Sequence, residues 1–277
     1  MRPSGQLLAE LLLFGTMILS SSCGSDTDGD SHDPAGTTVV DGRKLAYYRA
    51  TGAGPTVVLE SGLGDGYAPW RDVLAQLKPD QSVFAYDRAG YGGSEAADGS
   101  RDGARLVEEL AHALDALAVP APYLLVGHSL GGQLVQLFAR THPERVAGLL
   151  LVDGRPLGFT ERCVAKLGEA ECVLDAQVLA LLPMAMQQEY KAGETTEAQL
   201  RAAPPMPAVP SAALSRTRGV ESDAFQKLWA EAQRDQAEQL GAELEPVAGA
   251  SHYIQRDAPA AVVAAIERLL ARVESTR

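Results

Sequence analysis

The run Leu124-Leu-Val-Gly-His-Ser-Leu-Gly-Gly132 restricts this chain more than any other feature. A continuous apolar stretch suited to a buried strand runs into Gly-x-Ser-x-Gly, and residues 130–141 then show apolar spacing suited to a helix. A serine on so tight a strand-to-helix turn needs strained backbone angles. Gly127 and Gly131 leave room for strand and helix to approach one another. The turn lifts Ser129 clear of any sheet, and the helix N-terminus favours negative charge beside it. Gly-x-Ser-x-Gly alone arises by chance fairly often. In this context it marks Ser129 as a nucleophile rather than a turn serine.

The rest of the chain fits that turn. Val/Leu-rich runs predict strands at 44–50, 56–60, 82–86, 123–127 and 146–152. Amphipathic stretches between them predict helices at 70–78, 104–118 and 130–141, the second carried by Leu106, Leu110, Leu114 and Leu117. Continuous apolar strands separated by helices imply an α/β fold with a mostly parallel, doubly wound sheet covered on both faces. From Arg155 to Pro207 the rhythm breaks into helical pieces rich in Leu, Met and Gln, ending in a Pro-rich segment. This predicts a helical cap over 155–207, inserted into a core of 37–154 and 208–277. A strand near 208–214, a helix near 224–240, a strand near 243–247 and a helix near 259–273 complete the core.

Met1–Ser22 reads as an export signal, with Arg2 as a minimal basic region and 11–19 as the apolar region, too short to span a bilayer. Small residues lead into Cys23, which resembles the lipidated cysteine of bacterial lipoproteins. The expected location is therefore the cell envelope, periplasm or exterior of a bacterium, with a membrane tether through Cys23. The polar, Asp-rich stretch 23–36 predicts a flexible tether. Cys163 and Cys172 are the other cysteines. An oxidising compartment permits a disulfide between them, and two buried thiols are the alternative.

Composition excludes some functions. The net charge is -12 and no long basic run occurs, so nucleic acid is not an expected partner. No Cys/His spacing suggests a metal, no phosphate-binding glycine loop is present, and no cofactor is expected.

The chain resembles the α/β-hydrolase superfamily, in the subgroup with a cap inserted after the sixth strand. The resemblance rests on the Ser129 turn, Leu59-Glu-Ser-Gly-Leu-Gly64, Tyr86-Asp-Arg-Ala-Gly-Tyr-Gly-Gly-Ser94 and Gly249-Ala-Ser-His-Tyr-Ile-Gln255. It spans roughly residues 37–275 and is specific to the fold, not to a substrate. In this fold the chain order of a triad is serine, acid, histidine. His32 lies in the tether, His112 and His142 in helices, and His128 in the turn itself. His252, in a loop before the last helix, remains as general base. Asp153, ending the sixth strand, is the first candidate acid. Glu221 and Asp223, after the seventh, compete with it, although Asp223 also suits the start of a helix.

Family position implies an oxyanion hole from the backbone N–H groups of Leu63 and Leu130. Ser61 stands where the family often has histidine, which would alter how that loop is braced. Asp87-Arg88 and the glycines after it read as a loop organiser, with Tyr91 near the pocket. Met184 and Met186 suit an adaptable apolar acyl pocket. A serine nucleophile argues for acyl transfer to water and against dehalogenase or epoxide hydrolase chemistry, which uses a carboxylate at that place. The expected partner is a small-molecule ester with a small to medium apolar acyl group. Lactonase, amidase or haloperoxidase-like chemistry is the alternative, and a non-catalytic ligand binder lies further off.

Overall fold

A computed structural model describes residues 35–275. The predicted signal segment and Cys23 lie outside the described residues. Eight strands form one sheet among the described residues: β1 (Ala35–Val40), β2 (Arg43–Ala50), β3 (Ala53–Glu60), β4 (Gln81–Tyr86), β5 (Tyr123–His128), β6 (Val146–Val152), β7 (Ser211–Arg216) and β8 (Glu243–Val247). Their order is β1-β2-β4-β3-β5-β6-β7-β8. The β1–β2 and β2–β4 pairs are antiparallel, and the remaining pairs are parallel.

The helices are α1 (Arg71–Leu74), α2 (Gly103–Ala116), α3 (Leu130–Thr141), α4 (Phe159–Leu167), α5 (Glu169–Cys172), α6 (Ala176–Ala180), α7 (Met184–Lys191), α8 (Gly193–Ala202), α9 (Asp223–Gln239), α10 (Ile254–Asp257) and α11 (Pro259–Ser275). Helices α4 to α8 stand between β6 and β7, where the sequence predicted the cap.

Alternation along the central strands feeds two cores. Val58, Phe84, Leu125, Leu149 and Leu151 face Leu110, Leu114 and Phe138 of α2 and α3. Val57, Leu59, Leu124, Val126 and Leu150 face Trp70 and Val262, Ile266 and Leu269 of α11. With both faces covered, β3, β5 and β6 can be apolar along most of their length, which is why their sequences do not alternate.

Register then assembles the site. Glu60 pairs with Gly127, His128 with Val152, and Val152 with Leu214. The C-terminal ends of β3, β5, β6 and β7 therefore meet at one edge, where open α/β sheets form their crevices.

Some boundaries differ from the sequence reading. The tether was expected to run through Gly36, but Ala35 and Gly36 belong to β1, held by pairing with Tyr48 and Tyr47. The strand expected from residue 208 begins at Ser211, because Pro207 and Pro210 lack the N–H a ladder needs. The helix expected over 70–78 is a short turn followed by α1.

Candidate active site

Ser129 has φ 52° and ψ -119°, an uncommon geometry for a residue with a side chain. Such strain costs on the order of 1–3 kcal/mol and persists only where surroundings enforce it. Here they do. A Cβ on Gly127 would lie 2.4 Å from the Gly131 carbonyl oxygen, and one on Gly131 would lie 2.4 Å from that of Glu60. Strand, turn and helix are thus in backbone contact, and only glycine permits it. Leu130 opens α3, where first-turn N–H groups have no intrahelical partner.

Asp153 directly follows β6 in another left-handed conformation, φ 44°, and is fully buried. Its N–H donates to Leu214 O at 2.8 Å, so the β7 register holds it. His252 Nδ1 lies 2.6 Å from Asp153 Oδ2. Oδ1 accepts from Trp229 Nε1 at 2.9 Å and from the Arg216 N–H at 3.2 Å. Burial pushes the Asp153 carboxyl up, but the hydrogen bond and charge of His252, the charge of Arg216 and the Trp229 donor outweigh it. The carboxyl is held below its ordinary value. An ionised carboxylate only accepts, so the His252 proton sits on Nδ1 and Nε2 presents a lone pair.

His128 plays a part the sequence reading did not assign. Its Nε2 is 2.9 Å from the His252 carbonyl oxygen. Burial, with the His252 charge adding to it, lowers His128 to about 3, so it is neutral and donates through Nε2–H. This ties the His252 loop to the Ser129 turn.

Ser129, His128 and His252 line one cavity of about 200 Å³ together with Gly62 and Leu63. A Cβ on Gly62 would sit 3.1 Å from Ser129 Cβ, which brings the Leu63 loop against Ser129. Ser61 braces that loop: its Oγ donates to Gly66 O at 2.7 Å and accepts from Trp70 Nε1 at 2.9 Å.

Arg88 holds the loop from the other side. It donates to Ser61 O and Gly62 O at 2.7 Å each, to Glu60 at 2.8 Å, and through Nε and Nη2 to both oxygens of Glu189 on α7. The cap and the loop thus share one buried guanidinium. The sequence reading found a loop organiser in this segment. Asp87 fits that, accepting from the N–H groups of Tyr67 and Gly93. The reach of Arg88 into the cap has no local sequence signal, because Glu189 is 101 residues away.

Other expected site residues fall elsewhere. Met186 is buried and lines the cavity, whereas Met184, two positions along α7, points outward and is 65% exposed. Tyr91 is buried beneath the cap and donates to Glu189 Oε2, away from the cavity wall. Glu221 pairs with Arg216 at 2.8 Å, and Asp223 sits in the first turn of α9, with Ser222 as its N-cap. Cys163 and Cys172 are joined as a disulfide between α4 and α5, and Cys172 reaches the cavity wall. The wall carries Arg155, Arg216, Glu171 and Glu221, gathered from separate segments.

A mostly parallel eight-stranded sheet, with a serine on the β5–α3 turn and a histidine–aspartate pair beside it, defines the class of α/β hydrolases. Residues 55–189 match the family model described as alpha/beta hydrolase fold, and the chain has that fold. It is 36% identical over 119 residues to "Putative carbamate hydrolase RutD" of Azorhizobium caulinodans, across 42% of this chain and 44% of that protein. The chain spans about half the length of the curated relatives it matches. A thermophilic esterase from Thermogutta terrifontis superposes with a TM-score of 0.61 at 20% identity, covering 86% of this chain and 97% of that one. An epoxide hydrolase of Bacillus megaterium superposes at 0.64 with 20% identity, covering 85% and 99%. An esterase and an epoxide hydrolase on one fold show that the architecture alone does not choose the bond cleaved.

Proposed function

We propose that the chain is a serine hydrolase cleaving a small to medium carboxylic ester, its acyl group on the apolar wall, through an acyl-enzyme. The observation that carries this reading is the 2.6 Å contact of buried Asp153 with His252, which lines one cavity with Ser129. In this reading Ser129 Oγ attacks the ester carbonyl and His252 Nε2 takes its proton. Asp153 holds the ring and stabilises the imidazolium. The oxyanion lies between the N–H groups of Leu130 and Leu63, each contributing on the order of 3–4 kcal/mol to the transition state. Collapse expels the alcohol, which receives the proton from His252. Water activated by the same ring then releases the acid.

Hydrolysis of p-nitrophenyl butyrate by wild type and Ser129→Ala tests the reading, with fluorophosphonate labelling of Ser129 in wild type and His252→Ala. Wild-type turnover no faster than the Ser129→Ala rate would overturn it. The name of the Azorhizobium relative favours a carbamate as the second substrate class, and a carbamate in the same assay separates the two. We also propose export, with Cys23 as a lipid anchor. The Cys163–Cys172 disulfide supports an oxidising compartment.

A further inference from the structure

We propose that Arg155 forms an anion subsite in the Ser129 cavity, and that the substrate is an ester carrying a second, ionised carboxylate beyond an apolar spacer. This rests on the serine-hydrolase reading above and narrows its substrate.

Arg155 follows Asp153 by two positions, and its N–H donates to Ser129 O at 2.8 Å. Its place relative to the nucleophile is therefore set by backbone. The cavity wall carries two arginines. Arg216 is satisfied by Glu221 at 2.8 Å and lies 3.7 Å from Asp153. Arg155 donates to Thr160 Oγ1, and no ion pair with a carboxylate forms on it among the described residues.

The nearby acids and phenols are engaged elsewhere. Glu197 acts on Arg155 only through its field, and its Oε2 accepts from the Gly158 N–H at 3.0 Å and from Arg201 at 3.2 Å. The Tyr190 hydroxyl accepts from the Leu174 N–H at 2.8 Å. Burial pulls the Arg155 guanidinium below its ordinary value, and Glu197 and Tyr190 offset this only in part. Glu171, the remaining acid of the wall, accepts from Ser222 Oγ at 2.6 Å.

A guanidinium is a planar fork of five donors, and Thr160 engages only part of it. Arg155 is half-buried at the cavity wall, and a carboxylate fits the donors that Thr160 leaves free in bidentate geometry. Phe159, Leu174 and Met186 line the same cavity and suit the carbon chain between that carboxylate and the scissile carbonyl.

Two matched pairs of esters test this. Mono-p-nitrophenyl glutarate against p-nitrophenyl butyrate places the charge on the acyl side. 4-Carboxyphenyl butyrate against phenyl butyrate places it on the alcohol side. We expect wild type to favour the anionic member of one pair by tenfold or more in kcat/KM, chiefly through KM. Arg155→Gln should reduce that ratio to about one, and Arg155→Lys should retain part of it. Equal rates within both pairs for wild type, or a preference that survives in Arg155→Gln, overturns the proposal. Calorimetric binding of monomethyl glutarate against methyl butyrate to Ser129→Ala protein separates the two readings. A carboxylate preference there, with no ester turned over by wild type, keeps the subsite and removes the hydrolase. Ester turnover without charge preference does the reverse.

Discussion

His252 Nδ1 and Asp153 Oδ2 lie 2.6 Å apart although 99 residues separate them in sequence. The register of β6 on β7 and the turn after β8 bring them together. Trp229 and Arg216 satisfy the second oxygen of the same carboxylate. Asp153→Asn should therefore lower kcat by on the order of 10⁴ with little change in fold, because the amide no longer enforces the Nδ1–H tautomer. Asp223→Asn and Glu221→Gln should stay within about threefold of wild type, since each change of a few tenths of a kcal/mol moves a rate little. Steady-state kinetics on the three variants decides. Collapse of Asp223→Asn alone would move the acid to the seventh strand.

Asp65 gives a pH dependence of stability. Burial lifts its carboxyl to about 6, against the Tyr253 hydroxyl and the charges of Arg88, His252 and Arg256. With a folded value above the unfolded one, the native state binds more protons between about pH 4 and 6. Stability from this group is therefore present at low pH and is lost as pH rises through 6. Asp65→Asn keeps the Tyr253 partner and removes the charge. It should gain about 1–2 kcal/mol relative to wild type at pH 8 and almost nothing at pH 4. Urea unfolding at both pH values measures it, and an equal gain at both would refute the cause given.

Arg88 joins Glu189 of the cap to the carbonyls of Ser61 and Gly62. Arg88→Met leaves Glu60 buried without its cation and Glu189 with only Arg101, 3.6 Å away, and should cost about 3–5 kcal/mol of stability. Glu189→Gln keeps the shape and weakens the clamp. We expect about a tenfold fall in kcat with KM within twofold, as the Leu63 donor loses its fixed position. A rise in KM alone would assign Glu189 to cap seating instead.

The disulfide closes a short loop, with a sequence separation of 9. Replacing both cysteines by serine should destabilise the α4–α5 corner by about 2–3 kcal/mol on loop entropy. Because Cys172 is on the cavity wall, KM should rise more than kcat falls. Kinetics of the double variant, beside dithiothreitol-treated wild type, measures this.

Cys23→Ala should release the protein from the membrane fraction to the soluble exported fraction. Unchanged fractionation would remove the lipid anchor.

Local pattern carried much of this protein. Apolar strands buried on both faces read as continuous runs, and the glycines around Ser129 meet backbone where a side chain would not fit, so the sheet, the tight Ser129 turn and the helical pieces between β6 and β7 were legible in the chain. Chain order and loop context singled out His252, which the structure places against Asp153. Met184 and Met186 could not be told apart, because about half a turn of helix phase decides which faces the cavity. Asp153, Glu221 and Asp223 were chemically equivalent candidates until strand register put the first beside His252, the second on Arg216 and the third on a helix end. Arg88 with Glu189, and Arg155 without a counter-charge, depend on contacts across the cap. Such contacts are absent from any short window of sequence, since they arise only when segments far apart in the chain pack together and exclude water between them.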